Sequence, residues 1–297
     1  MLNPINSISE FAAQAKSSMA ANYPNLFIDT MEVSKMNQNL HGIIFRTEGA
    51  EAAPTFYVDD LFVRYTEGED FDSLMVDLKD RYEETKDICP PAVDLRWEAC
   101  RNNLQLRLLE ESRNSDFLSN IPHINVGCGL VLTVDIVFDD WRVAVNYGVM
   151  EELAVDKDIL FITARDNAMI VDPPVLTDMG QALFSPVKEN LLDRAKPLKP
   201  MEVGGMYVLT TESSTLGASA LFYPGVKEKA AKMIGCGYYV LPSSIHECIL
   251  VPDTAHHNEK DLCDMVKQAN RSVVEPHEVL SDNVFHYGED GLRVIEG

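Results

Sequence analysis

The first part of the chain has a helical hydrophobic pattern followed by strand-like patterns. Apolar residues at helical spacing predict a helix over "EFAAQAKSSMAANY", with Ser9 as its N-cap. Two runs rich in β-branched and aromatic residues, "NLFIDTMEVSKM" and "NLHGIIFRTEG", flank a short polar break and predict a hairpin. A third strand is predicted over "PTFYV", so this part should form a helix and three strands.

Helical spacing begins again at Asp59 and is interrupted at Gly68. We predict that Asp70 caps the second of these two helices. The acidic residues fall between the apolar positions, which indicates two amphipathic helices with an acidic solvent face.

The middle of the chain is mainly strand-like. "LQLRLLEE" alternates as a strand does, and the valine-rich "NVGCGLVLTVDIVFDDWRVAVNYGV" predicts two long strands that meet at Asp139 and Asp140. A proline-rich connector is expected over about 172–200, with one short helix at "VKENLLDRA".

The last hundred residues predict the order β-β-α-β-β-α-β. The segments are, in order, "GGMYVLTT", "LGASALFY", "PGVKEKAAKMIG", "GYYVLP", "ECILVP", "NEKDLCDMVKQANRS" and "NVFHY". In the second helix we expect Leu262, Met265, Val266 and Ala269 to face inward.

The fold class expected from this order is α+β, with antiparallel sheets and helices packed on one face. We place a domain boundary near Lys199, which gives an N-terminal region 1–199 and a C-terminal domain 200–297.

The composition is that of an ordinary globular protein, with 46% hydrophobic and 24% charged residues. The apolar runs are too short to cross a bilayer, and the start has no basic region ahead of an apolar one. We therefore expect a cytoplasmic protein without a membrane segment. Its six cysteines include no C-x-x-C pair and are expected to be thiols.

The net charge of −22 argues against direct nucleic-acid binding, which needs a basic face. The charge is concentrated between Glu48 and Asp87, where thirteen acids stand against four bases. This acidic face is interpreted either as a solvated surface that aids solubility or as a docking surface for a basic protein partner.

The stretch "LPSSIHECILVP" gathers the weak catalytic candidates Ser243, Ser244, His246 and Glu247. A nucleophile elbow needs small residues around its serine, but the residues beside this serine pair are proline and isoleucine. We therefore prefer a polar turn between two strands, whose hydroxyls bond to backbone groups. A hydrolase or ligand site at this turn is kept as the alternative.

Signatures of metal and phosphate binding are missing from the sequence. The chain has no H-E-x-x-H motif, no P-loop and no G-x-G-x-x-G that opens a helix, so we expect no metal and no cofactor. Pro224 and Gly225 stand at a predicted helix start, where backbone N–H groups bind anions in other proteins, although a plain turn is the preferred interpretation.

The segments Ala53–Met75, Tyr207–Asp253 and Val274–Asp290 resemble a bacterial family classed only as a domain of unknown function. That family occurs in gut anaerobes, often in mobile elements. The resemblance implies a cytoplasmic protein in two parts and brings no assigned activity. It marks a signature region, whose residues are Tyr207, Thr210, Gly217, Pro224, Gly225, Ser243, Ser244, His246 and Glu247. Among these we expect Tyr207, Thr210, Pro224 and Gly225 to be ligand-binding candidates.

Three functions are therefore carried forward. The leading hypothesis is a non-enzymatic, acidic binding protein that acts on a macromolecular partner. The second is a hydrolase or small-ligand-binding protein that uses the turn from Ser243 to Glu247. The third is a structural protein that assembles with itself through an exposed sheet edge.

Overall fold

A computed structural model describes residues 5–47, 53–86, 94–138, 142–185, 189–198, 205–254 and 257–295. Contacts divide the chain into two compact units, Met1–Val93 and Asp94–Gly297. The boundary predicted near Lys199 falls outside the described residues and stays a prediction, as do the domain limits based on it.

In its described residues, the first unit contains three helices and a three-stranded antiparallel sheet of order β1-β2-β3. Its elements are α1 (Ile8–Asn22), β1 (Phe27–Lys35), β2 (Gln38–Arg46), β3 (Thr55–Tyr57), α2 (Asp59–Thr66) and α3 (Phe71–Thr85). The predicted hairpin, third strand and helix pair are all confirmed, and Asp70 caps α3 by accepting from the Ser73 N–H. The N-cap of α1 is Ser7, however, and not Ser9.

The core of the first unit is built from one face of each helix. Phe11 of α1 contacts three aromatic rings, of which those of Phe62 and Phe71 lie 5.7 and 5.5 Å away. Phe45 of β2 stacks on Tyr82 of α3 at 4.5 Å. Ring pairs at such distances add to the free energy of burial, so the helices are held against the sheet.

Ion pairs connect α2 to α3 on the acidic face. Arg64 pairs with Glu69 and Asp77, and Arg81 pairs with Asp77 and Asp60. Burial alone would raise the pKa of Asp77, but the hydrogen bonds from Arg64 and Arg81 outweigh it and hold that pKa below its usual value. These carboxylates therefore act in holding the two helices together.

The second unit begins with a small sheet in which β6 is central. Its elements are α4 (Trp97–Cys100), β4 (Leu104–Glu110), α5 (Ser115–Leu118), β5 (Ile124–Gly127), β6 (Leu130–Val137), β7 (Arg142–Ala144), α6 (Tyr147–Glu152) and α7 (Lys157–Ala168). Strand β4 pairs along one edge of β6, and β5 and β7 pair with it as well.

The first of the two long strands predicted here is divided by a tight turn. Cys128 and Gly129 both have positive φ, 59° and 73°, so the chain reverses between β5 and β6. The turn predicted at Asp139 and Asp140 lies outside the described residues. The helix α7 starts after Asp156, whose side chain accepts from the Ile159 N–H.

A buried ion pair lies within this sheet. Arg107 of β4 pairs with Asp135 of β6, and the two side chains are 6% and 0% exposed. The strand register places Arg107 opposite Thr133, two residues from Asp135 on the same face of the sheet. Charges this deeply buried are tolerated only when they are paired.

The second sheet of this unit has six antiparallel strands in the order β13-β12-β10-β11-β9-β8. Its elements are β8 (Pro174–Asp178), α8 (Met179–Phe184), β9 (Tyr207–Thr211), α9 (Val226–Ile234), β10 (Tyr238–Ser244), β11 (Glu247–Pro252), α10 (Glu259–Ser272), β12 (Val284–Gly288) and β13 (Gly291–Ile295). Strands β8 and β9 come from opposite sides of Lys199 and pair directly.

Helices lie on both faces of this sheet, whereas one face was predicted. Helix α10 packs on the face that carries Tyr239, Leu241 and Val251. On the opposite face, Tyr238 donates to the Lys227 carbonyl of α9, and the Cys248 thiol donates to the Ala218 carbonyl.

Three details of the predicted C-terminal order are corrected. The segment "LGASALFY" is not a strand, because Gly217–Phe222 forms a 3₁₀ helix in which Gly217 to Leu221 are buried. A further strand, β13, follows β12. Met265 of α10 is 46% exposed, and Cys263 is buried in its place.

The fold class is α+β, with three antiparallel sheets and accompanying helices, as the sequence predicts. The proline-rich connector also contains more regular structure than expected, since β8 and α8 both lie in it. Within the described ranges, no helix has both the length and the apolar character needed to cross a bilayer.

We expect Asp135→Ala to destabilise the protein by about 3–5 kcal/mol, because Arg107 would remain buried without its carboxylate partner. The combined change Arg107→Met and Asp135→Leu should recover most of that loss. Urea denaturation measures both. If Asp135→Ala lowers the free energy of unfolding by less than about 1 kcal/mol, the ion pair does not have this role.

We expect Asp77→Asn to cost about 1 kcal/mol at neutral pH, since its ion pairs are partly exposed. A lowered pKa contributes stability that is fully present above the ordinary value of 3.8 and is lost as the pH falls below it. The variant should therefore lose less stability than the parent between about pH 5 and pH 3. Urea denaturation over this range, with Asp80→Asn as the exposed control, checks the slope; equal slopes for all three proteins would contradict it.

Candidate functional site

The turn between β10 and β11 is held by backbone hydrogen bonds. Ser244 is buried, and its Oγ accepts from the His246 N–H at 3.0 Å. The Ile245 N–H donates to the Glu278 carbonyl, and the Ile245 carbonyl accepts from the Ala218 N–H. Ser243 lies in the irregular part of β10, and its side chain is outside the described part of the structure. The Ser244 hydroxyl is therefore engaged in the turn.

The His246 ring is engaged by two other partners. The Leu216 N–H donates to Nδ1 at 3.2 Å, and Nε2 lies 3.3 Å from Oε1 of Glu278. Since Nδ1 accepts, the ring proton is assigned to Nε2, which donates to the carboxylate. His246 is thus not arranged as a general base for Ser244.

The turn packs directly on the 3₁₀ helix through Gly217. The Thr210 hydroxyl donates to the His246 carbonyl at 2.8 Å. A Cβ added to Gly217 would meet that hydroxyl and would lie 2.5 Å from the His246 carbonyl oxygen and 2.7 Å from the Thr211 nitrogen. Only glycine allows this approach, and the preceding residue, Leu216, has a positive φ of 56°.

A buried carboxylate fixes the loop that follows β9. Asp172 is 4% exposed, and its two oxygens accept from the N–H and the hydroxyl of Ser213, each at 2.8 Å. Hydrogen bonds to a charged acceptor are the stronger kind. They fix the loop at Ser213, between Glu212 and the left-handed Ser214.

Beside this loop lies a cavity of about 400 Å³, called here the first cavity. Its floor is one face of three neighbouring strands, on which Val175 pairs with Thr210 and Thr177 pairs with Val208. These residues share the sheet face on which α10 packs, so the cavity occupies the end of that face that α10 leaves open.

Three acids line the first cavity. They come from three separate places in the chain: Asp193 ends a short 3₁₀ helix after α8, Glu212 follows β9, and Glu247 begins β11. Asp193 and Glu212 are exposed, and Glu247 is half-buried. The described lining of this cavity contains no lysine, arginine or histidine. The acids therefore make the electrostatic potential inside it negative.

A second cavity of about 330 Å³ adjoins the first, and the two share Asn190, Asp193 and Glu212. Pro224 and Gly225 line it at the start of α9, together with residues that include Lys229. Asn190 stabilises the shared wall, because its amide donates to the Pro174 carbonyl and its Oδ1 accepts from the Leu176 N–H.

The structure separates the predicted site residues into four groups. Thr210 and Glu247 line the first cavity, and Pro224 and Gly225 line the second. Ser243, Ser244 and His246 belong to the turn, and Tyr207 is 1% exposed in the core, on the other face of β9 from Val208. Burial also raises the pKa of the neighbouring Cys248 to about 12, which leaves it a protonated thiol.

Sequence reasoning missed the cavity residues that precede β9. Thr177, Asn190 and Asp193 fall in the segment predicted as a connector, which contains β8, α8 and a 3₁₀ turn. The short run Val175, Leu176 and Thr177, two of which are β-branched, is a weak strand signal there.

The acidic face of the first unit is partly neutralised within the unit. Four of its acids form ion pairs with lysine or arginine, namely Asp60, Glu69, Asp77 and Glu83, and Asp59 accepts a hydrogen bond from the His41 N–H. Glu48, Glu51 and Asp87 lie outside the described residues. No group of three or more His, Cys, Asp or Glu in the described ranges is placed to hold a metal ion.

We expect Gly217→Ala to destabilise the protein by about 1–3 kcal/mol, since the new methyl group must displace two backbone atoms. It should also broaden the NMR signals of Thr210 and Thr211, which it contacts directly. Gly148→Ala on α6, where a Cβ meets only the Asn146 side chain at 3.3 Å, is the control. Equal stabilities of the two variants in urea denaturation would show that the close packing is not required.

Comparison with known proteins places the chain in a family without assigning it an activity. No curated protein and no solved structure matches it. A family model described as "Family of unknown function (DUF5688)" matches residues 8–289, which is nearly the whole chain. The chain therefore belongs to the DUF5688 family of unknown function.

Proposed function

We propose that this protein functions by binding a partner without catalysing a reaction, and that the first cavity is its binding site. The observation that carries the proposal is the cavity itself: about 400 Å³, floored by sheet residues and lined by three acids. Its volume lies within the range of about 300–1,000 Å³ that is usual for ligand sites.

The arrangement of the turn favours binding over hydrolysis. The Ser244 hydroxyl accepts from a backbone N–H, and both nitrogens of the His246 ring have partners other than that hydroxyl. A nucleophile and its base must lie within hydrogen-bond reach of each other. These side chains therefore do not form the serine–histidine pair that a serine hydrolase requires.

The rigidity of the cavity also supports a binding role. Thr210 is fixed by its bond to the His246 carbonyl, and the Asp172 to Ser213 bonds hold the wall that carries Glu212. A site that is already formed loses little conformational entropy when a ligand enters.

We further propose that the partner is a basic protein and that the protein is cytoplasmic. The net charge of −22 supports the first part, because it attracts basic partners. The five described cysteines are free thiols, which suits a reducing compartment. The occurrence in gut anaerobes and mobile elements, implied by the resemblance, would make a host protein the natural partner.

We expect small fragments to bind in the first cavity at millimolar concentration. The test is an NMR titration of threonine-methyl-labelled protein with alkylamines, alkyl alcohols, alkanoates and amides. Some fragments should shift the methyl signals of Thr177, Thr210 and Thr211, all of which line the cavity. Ala182→Trp on α8 should abolish those shifts, because the indole fills the cavity from its wall, whereas Ala21→Trp on α1 should leave them intact.

The proposal fails if no fragment shifts these three signals, or if Ala182→Trp leaves the shifts unchanged. Labelling of Ser244 by a fluorophosphonate reagent would contradict the non-enzymatic part of it. Such labelling requires an activated hydroxyl, and a hydroxyl engaged in a turn is not activated.

A further inference from the structure

The acids of the first cavity are available to an outside cation. In the described residues, the side chains of Asp193, Glu212 and Glu247 form no hydrogen bond and no ion pair. The nearest arginine in sequence, Arg194, is already paired with Glu189. Lys229 lines the second cavity, which shares Asp193 and Glu212, but among the described residues it forms no ion pair with them, and no described base lines the first cavity itself.

The floor of the cavity suits an apolar stem next to such a cation. Val175, Val208 and Leu183 line it beside the acids. An inorganic ion gains nothing from these aliphatic surfaces, whereas an alkyl chain is stabilised when it and they are removed from water. The cavity therefore combines the two features that an amphipathic cation requires.

A polar group at the floor is also left without a partner. Thr177 lines the cavity and is 2% exposed, and its Oγ1 forms no hydrogen bond within the described residues. A buried hydroxyl left without a hydrogen-bond partner destabilises the structure. A rotation of this side chain toward a bound donor would remove that destabilisation.

We propose that the first cavity binds an ammonium or guanidinium group on an apolar stem, as presented by a lysine or arginine side chain of a basic protein partner. This inference rests on the proposed function and names the chemistry of its ligand. The stem lies against the valines of the floor, and the charged group is held by the three acids.

The surroundings of the cavity favour a protein segment over a free small amine. Leu183 of α8 lines the cavity and is 67% exposed, and the next residue, Phe184, is 86% exposed, so α8 offers apolar surface to more than one residue. The second cavity adjoins the first and provides space for the side chain of a neighbouring residue in the same segment.

The test uses a peptide series that differs only in charge. The probes are acetylated, amidated pentapeptides with central lysine, norleucine or glutamate among alanines, and their Kd values come from the Thr177 and Thr210 methyl shifts. We expect the lysine peptide to bind at least about tenfold more tightly than the norleucine peptide, which has nearly the same stem without the charge. The glutamate peptide should not bind.

Neutralising the acids should remove this preference. With Asp193→Asn, Glu212→Gln and Glu247→Gln together, the lysine peptide should bind no better than the norleucine peptide. Glu152→Gln, an exposed change on α6 outside the cavity, should leave its Kd unchanged. Higher salt should weaken the lysine peptide and leave the norleucine peptide unaffected.

Equal affinities of the lysine and norleucine peptides, or tighter binding of the glutamate peptide, overturn the inference. If alkyl alcohols or alkanoates still shift the cavity signals, the proposed function stands and only the ligand chemistry is wrong. Tighter binding of pentylammonium than of the lysine peptide would overturn the assignment to a protein partner and identify a free amine as the ligand.

Discussion

The hydrogen bond from the Thr210 hydroxyl to the His246 carbonyl connects the parts on which the site depends. It joins the end of β9 to the turn that follows β10, and the backbone at Gly217 packs directly against it. Because Gly217 has no side chain, the 3₁₀ helix lies close enough for Ala218 to bond to the turn as well. The turn, the 3₁₀ helix and one strand of the cavity floor thus form a single packed unit.

The sequence predicts the elements of this region better than their contacts. Local alternation predicts β10 and β11, and helical spacing that ends at Gly235 predicts α9. Gly235 has a positive φ, as is usual for a glycine that ends a helix. The strand predicted at "LGASALFY" is wrong for a physical reason. Its small residues allow a tightly wound helix to be buried against a sheet, and an apolar run of this length does not distinguish that from a buried strand.

The candidate site is still less accessible to prediction from sequence. Thr210 and Glu247 are marked by the signature region, but Asp193 becomes their neighbour only because β8 pairs with β9. Strand β8 lies in the segment predicted as a connector, so neither the periodicity nor a motif in the sequence indicates this pairing. The turn at Ser243 to Glu247 shows the opposite error, in which the sequence suggests a site that the side chains do not form. Residues typical of catalysis are adjacent there, but Ser244 and His246 make hydrogen bonds that hold the turn in place.

The position of the cavity follows from the geometry of a wide sheet. Six strands spaced about 4.8 Å apart form a surface roughly 25 Å wide, whereas one helix with its side chains is about 10–12 Å across. Helix α10 therefore covers the strands at one end of its face, where Tyr239, Leu241 and Val284 pack against it. The rest of the face must be covered by shorter elements, and α8 and the loop after β9 close it only at the sides. Acids at the rim of this uncovered part are what a face requires when it stays in contact with water.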